Sequence, residues 1–255
     1  MLLAIDVGNT QTVFGVFADE QLRAHGRMAT RRDATSDELG VQVAALFDRA
    51  RLDRAGVRGV IVASVVPELN RAIDELSREQ LGQEPLFVGP GVKTGMPILY
   101  ENPHEVGADR IVNALAATTR YGAPVIVLDF GTATTFDVVG PAGEYWGGVI
   151  APGLGISAEA LFERAARLHR VDVRRPARVI GRNTEESIQS GLFYGYVGLI
   201  EGIVERIRGE LGGAGRVVAT GGLAPVFEGE LGFLDAVDPH LTLEGLRLIW
   251  RKNCP

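Results

Sequence analysis

Two short segments of this 255-residue chain repeat one chemical pattern about half a chain length apart: Asp6-Val7-Gly8-Asn9-Thr10-Gln11-Thr12 and Asp129-Phe130-Gly131-Thr132-Ala133-Thr134-Thr135. Each follows a short apolar run, Leu2 to Ile5 in one case and Val125 to Leu128 in the other, and each leads back into a β-rich run. That is the pattern of a buried strand opening into a tight turn and returning as a second strand. One Asp-x-Gly is compatible with an ordinary hairpin turn. A second copy at this distance implies two similar halves, each with its own hairpin.

The residue types in these turns suit a polyphosphate gripped from opposite sides. Glycine permits a sharp turn and close backbone approach, and Thr and Asn add hydrogen-bond donors. Asp6 and Asp129 repel a phosphate unless a cation or a water lies between, so a phosphate site built with carboxylates implies metal.

The rest of the chain reads as the same scheme run twice. Strands are predicted over 2–7, 12–18 and 21–29, then a helix over 36–50 that Thr35 and Glu38 open as a capping box. A strand over 57–65, a helix after Pro67, a short strand near 86–88 and a helix over 107–119 complete the first half. The second half repeats with strands over 124–129, 133–139 and 144–150 and a helix after Gly153. A long helix over 184–209 follows, capped by Asn183 and Glu186, then a strand over 216–220, a short helix after Gly222, a strand near 233–237 and a last helix over 242–252. Hairpinned strands followed by alternating helices and strands, twice over, describe an α/β fold of two lobes, 1–119 and 120–255.

Composition excludes several classes. With 46% hydrophobic and 23% charged residues the chain is ordinary globular material. A net charge of −6 gives no basic face for a general nucleic-acid binder. The first apolar run breaks at Asp6 and no stretch reaches the length of a membrane span, so a cytoplasmic protein with no membrane partner is expected. One cysteine, Cys254, excludes a disulfide framework. Neither lysine, Lys93 or Lys252, sits in a Walker-type loop, and no protein-kinase catalytic loop is present. The four histidines are scattered without metal-ligand spacing.

DVGNT at 6–10, GADR at 107–110, DFGTATT at 129–135, GGVIAPG at 147–153, Asn183-Thr184, TGG at 220–222 and the C-terminal DPHLTLEGLRLIWRKN occur in order along the whole chain. Together they resemble the actin, sugar-kinase and Hsp70-like ATPase superfamily and, within it, the type III pantothenate kinases. The resemblance implies two RNase H-like lobes, each a mixed five-stranded sheet flanked by helices, with an ATP cleft between them. It also implies ATP-dependent phosphorylation of pantothenate to 4′-phosphopantothenate, the first step of coenzyme A biosynthesis. A sugar kinase of the same superfamily, or a non-catalytic regulatory protein on the same scaffold, is the alternative.

The resemblance further implies a role for each motif residue. Asp109 is the general base, in the first turn of a helix whose N-terminus favours the ionised carboxylate. Tyr100, Gly107, Ala108, Asp109, Arg110 and Thr184 bind the acceptor, with the Arg110 guanidinium suited to a carboxylate or amide oxygen. Asp6, Val7, Gly8, Asn9, Thr10, Gln11, Thr12 and Val13 surround the ATP phosphates, joined by Gly131 and Thr132, with Gly221 and Gly222 near the adenosine. Asp129 is the ligand of a monovalent cation, K⁺ or NH₄⁺, and Asp6 reaches Mg²⁺ through water.

One feature is independent of the resemblance. Ser187, Gly191, Gly195, Gly198 and Gly202 fall on one stripe of the long helix. Each interior glycine costs about 1 kcal/mol relative to alanine. Close backbone approach to the other lobe or to a second subunit compensates, which makes a homodimer the expected assembly.

Overall fold

The computed structural model describes residues 1–165 and 168–254. The chain forms two compact units. One comprises Met1–Met96, Tyr100–Ala116 and the chain from His240 on; the other comprises Pro97–Leu99 and Ala117–Pro239.

The first unit is built on a five-stranded sheet of β1 (Leu2–Val7), β2 (Gln11–Ala18), β3 (Gln21–Ala29), β4 (Gly59–Ser64) and β5 (Pro85–Phe87), in the order β3-β2-β1-β4-β5. β1 pairs antiparallel with β2 and parallel with β4. The apolar run of the sequence is therefore the central strand, and Leu3, Ala4 and Ile5 are fully buried. Helix α1 (Ser36–Ala50) begins at the expected capping box: the Glu38 amide donates to Thr35 Oγ1 at 3.3 Å and the Thr35 amide donates to Glu38 Oε2 at 2.9 Å. Helix α2 (Pro67–Glu75) starts on Pro67, whose fixed φ suits the first helical turn. Leu39, Val43 and Phe47 of α1 and Leu69 and Ile73 of α2 share a core with Leu3, Ile5, Phe14, Val60 and Val62 of the sheet.

The C-terminal helix α7 (Leu241–Asn253) also packs on this sheet, against β1, β2 and β4. Thr242 Oγ1 donates to Asn113 Oδ1 at 2.7 Å, and the Asn253 side chain exchanges two 3.0 Å bonds with the Lys93 backbone. A division at 119/120 places this helix with the second half of the sequence; its apolar face, Leu241, Leu243, Leu246 and Ile249, is buried within the first unit. Helix α3 (Ala108–Tyr121) contributes its residues up to Ala116 to the first unit and those from Ala117 to the second.

The second unit repeats the topology. Strands β6 (Val125–Phe130), β7 (Ala133–Val139), β8 (Tyr145–Pro152), β9 (Arg216–Thr220) and β10 (Ala236–Val237) lie in the order β8-β7-β6-β9-β10, with β6 antiparallel to β7 and parallel to β9. Helices α4 (Leu154–Arg164), α5 (Thr184–Glu210) and the short α6 (Ala224–Phe227) belong to this unit. Its core is an aromatic stack in which the Phe227 ring lies 5.3 Å from Phe130 and 5.5 Å from Phe193. Strand β10 has only two residues, shorter than its sequence suggests, because residues 233–235 run as turn and loop before the pairing with β9 begins.

Candidate functional site

Both duplicated aspartates occupy one structural position. Asp6 is the second-last residue of β1, in register with Val13 of β2 and Ala63 of β4; Asp129 is the second-last residue of β6, in register with Thr135 of β7 and Thr220 of β9. Each is partly exposed in a strand whose other residues are buried. Each lies at the carboxyl end of the central parallel pair, where ligands of open α/β sheets bind because loops and backbone ends converge there.

The first turn is braced from behind. The Gly8 amide donates to Gln11 O at 3.0 Å, Thr30 Oγ1 donates to Gly8 O at 2.7 Å, and the Thr30 amide donates to Thr10 O at 2.9 Å. Thr12 is buried, with its hydroxyl 2.9 Å from that of Thr30, whereas Asn9, Thr10 and Gln11 are exposed. Val7 is fully buried and Val13 partly so, which makes them supports of the turn. Thr30, at the end of β3, carries no motif that would have singled it out in the sequence.

The second turn is tighter: the Gly131 amide donates to Ala133 O at 3.1 Å. In both turns the glycine amide is thus used across the turn, and the exposed residues at the tip are Asn9, Thr10 and Gln11 in one and Gly131 and Thr132 in the other.

Around Asp129 the second unit gathers several of the expected residues. Gly221 has φ +92, and a Cβ there would stand 2.6 Å from Asp129 Oδ1 and 2.6 Å from the Phe130 amide nitrogen, so any side chain at this position is excluded twice over. Gly153, which the sequence offered as the end of GGVIAPG and the start of a helix, donates its amide to Thr132 O at 3.1 Å. Asp129, Gly131, Thr132, Gly153 and Gly221 therefore form one cluster, and exposed Gly222 follows directly.

At the start of α3 the GADR segment folds on itself. The Asp109 carboxylate turns back over Gly107, where a Cβ would lie 2.5 Å from Oδ1, and the same oxygen accepts the Arg110 amide at 2.9 Å. The side chain is partly exposed but crowded, and burial pushes its pKa up; the Arg110 amide and guanidinium pull it back in part. Desolvation is the largest influence on this carboxyl, set against the helix N-terminus and the local donors. Arg110 is itself only 7% exposed, and Ala108 and Tyr100 are partly exposed.

Thr184 opens α5. Asn183 Oδ1 caps the helix by accepting the Glu186 amide at 2.8 Å, and Glu186 in turn accepts the Arg182 amide at 2.8 Å. Thr184 is exposed and lines an open groove of about 880 Å³ with Ser157, Leu161, Gly181, Ser187 and Gly191. Farther along the same helix, Gly191, Gly195 and Gly198 are exposed and a Cβ at each would meet nothing within 4 Å among the described residues. The compensating contact for these glycines is thus not made by the described part of this chain.

The carboxylates are suited to hard cations. Among the described residues no three His, Cys, Asp or Glu side chains form a metal cage. A carboxylate at such a turn, beside exposed hydroxyl and amide side chains, fits Mg²⁺ carried in by a nucleotide, which keeps several waters.

A family model for type III pantothenate kinase matches residues 2–206. A type III pantothenate kinase of Moorella thermoacetica is 54% identical over 253 residues, covering 99% of this chain and 100% of the relative. One from Anaeromyxobacter sp. strain Fw109-5 is 57% identical with the same coverage. In three dimensions the chain is similar to a putative 2-dehydro-3-deoxygalactonokinase from Sinorhizobium meliloti, with TM-score 0.62, 12% identity and coverage of 100% of this chain and 97% of that one. That likeness carries the fold alone: two mixed five-stranded sheets flanked by helices.

Proposed function

Because the chain belongs to the type III pantothenate kinase family, we infer that it transfers the γ-phosphoryl group of ATP to the primary alcohol of pantothenate, opening coenzyme A biosynthesis. The observation that carries this reading is identity above 50% over 99% of the chain to kinases of that name.

Phosphoryl transfer passes through a loose transition state, so the enzyme's task is positioning and charge neutralisation. In this reading Asp109 accepts the proton of the attacking hydroxyl and orients it in line with the γ-phosphorus. Its burial supports that role, because desolvation makes the carboxylate a stronger base. Arg110, Tyr100, Gly107, Ala108 and Thr184 hold the pantothenate. Asn9, Thr10 and Gln11, with Asp6 and Gly8 beside them and with Gly131 and Thr132, take the phosphates; Val7, Thr12 and Val13 support that turn, and Gly221 and Gly222 leave room for the adenosine. Mg²⁺, bound with ATP and reached by Asp6 through water, supplies neutralisation of the phosphate charge. Asp129, held against Gly221 and across from Thr135, is the ligand of a monovalent cation, K⁺ or NH₄⁺.

The exposed glycine stripe of α5 supports a homodimer in which two such helices approach closely. A net charge of −6 gives no basic face for nucleic acid, so the anionic substrates are held by local groups. Among the described residues no helix is long and apolar enough to cross a membrane, which agrees with a cytoplasmic enzyme. A coupled ADP-release assay with pantothenate, a panel of sugars and no acceptor, each with and without K⁺, tests the reading. ADP release that requires pantothenate and rises with K⁺ is expected; release independent of pantothenate rejects it.

A further inference from the structure

Strand β7 carries a carboxylate where an apolar side chain is the simpler choice. Phe136 and Val138 join the core under α5, while Asp137 between them faces the other side of the sheet and is fully buried. Burying a carboxylate is costly unless donors surround it. Tyr145 Oη donates to Asp137 Oδ1 at 2.8 Å and Thr135 Oγ1 donates to Oδ2 at 3.1 Å. Tyr145 is also fully buried, at the start of β8, where the β7–β8 register shifts between Val138 and Val139.

The backbone of Tyr145 has a second task. Its amide donates to Pro97 O at 2.8 Å and its carbonyl accepts the Leu99 amide at 2.8 Å, so residues 97–99 join the edge of β8 through a single parallel bridge between Ile98 and Tyr145. The next residue in the chain is Tyr100. Both of these bonds hold the turn-rich segment through one residue, the one whose side chain is locked by Asp137.

We propose that Asp137 and Tyr145 are a positioning pair for the acceptor site: the buried hydroxyl–carboxylate bond fixes the edge of β8, the edge fixes residues 97–99, and these set the place of the Tyr100 ring against pantothenate. The proposal rests on the reading of Tyr100 as an acceptor-binding residue. Neither Asp137 nor Tyr145 touches substrate in this scheme. Their effect is on geometry, where small displacements of a binding group carry large kinetic consequences.

Kinetics of Tyr145→Phe, Tyr100→Ala and the double variant test it. Tyr145→Phe is expected to raise KM for pantothenate about fivefold, the worth of one buried hydrogen bond, with KM for ATP unchanged. Hydrogen exchange in a peptide spanning 97–101 is expected to quicken in the same variant. In the Tyr100→Ala background the Tyr145→Phe change is expected to have no further effect on KM for pantothenate. A full fivefold effect in that background, or equal changes in both KM values, overturns the proposal while leaving the kinase reading intact. Tyr100→Ala with an unaltered KM overturns both the role of Tyr100 and the pair acting on it, whereas loss of pantothenate-dependent ADP release in the unmodified protein is the failure of the kinase reading itself. Should Tyr145→Phe not fold, Asp137→Asn, which keeps an acceptor for the tyrosine hydroxyl, is expected to show the same split at smaller size.

Discussion

Replacing Gly221 by alanine adds one methyl group at the point where β9 ends beside Asp129. Two costs follow from the geometry. A non-glycine residue at φ +92 is strained by roughly 1–2 kcal/mol. The new Cβ would also sit 2.6 Å from the Phe130 nitrogen and 2.7 Å from its carbonyl oxygen, and these are backbone atoms that cannot swing aside. Overpacking of this kind costs roughly 1–3 kcal/mol. Together the second unit is expected to lose about 3 kcal/mol, which lowers the thermal midpoint by roughly 6–12 °C in a chain of this size. Relief comes only by displacing the Asp129 carboxylate or the β6 turn, so K⁺ activation and KM for ATP should deteriorate together. Thermal unfolding followed by circular dichroism, and ADP release titrated with K⁺, read the two effects. Gly209→Ala is the control: its Cβ would meet nothing within 4 Å, and alanine in a helix is favoured over glycine by up to about 1 kcal/mol. A Gly221→Ala protein with the midpoint of the unmodified chain and normal K⁺ dependence would refute the reasoning.

Other perturbations separate the remaining roles. Asp109→Asn should lower kcat by about 10²–10⁴ while KM for ATP changes little, as measured by steady-state ADP release; an equal loss of ATP affinity argues against a base. Because burial raises the Asp109 pKa, the acid limb of kcat/KM for pantothenate should lie at higher pH than an ordinary aspartate gives, with activity lost as pH falls through that raised value. The stability sign is opposite: ionisation in the folded chain is penalised, so the cost sets in as pH rises through the unfolded pKa and is complete above the folded one, and Asp109→Asn should stabilise the protein at neutral pH but not in acid. Gly195→Leu should shift sedimentation toward the monomer; an unchanged sedimentation coefficient removes α5 from the dimer interface. Phe193→Ala, which removes a fully buried ring packed on Phe227, should cost about 3–5 kcal/mol in urea unfolding.

Much of the architecture was legible because its signals are local. The capping box at Thr35 and Glu38, the cap at Asn183 and the apolar runs before Asp6 and Asp129 each depend on neighbours a few residues away, and the structure has them where periodicity and cap chemistry place them. The duplication also foretold that the two sheets share one strand order. Element ends were less legible: β10 shrinks to two residues because pairing with β9, not β-propensity, decides where a strand exists.

Three matters belonged to the tertiary structure alone. Helix α7 returns to the first sheet, although by sequence it trails the second, because burial of its leucine face depends on which sheet surface is open and not on chain order. The Asp109 carboxylate is desolvated by the packing around it, which no helix-terminus rule contains. Gly221 meets Asp129, and Tyr145 meets Asp137 and residues 97–99, through strand pairing between distant segments. By itself the sequence determined which residues carry the chemistry and that the fold is a doubled strand–helix unit. Which of them touch, and with what charge and freedom, was decided by long-range pairing and burial, energies that come into being only when segments far apart in the chain share one sheet or one core.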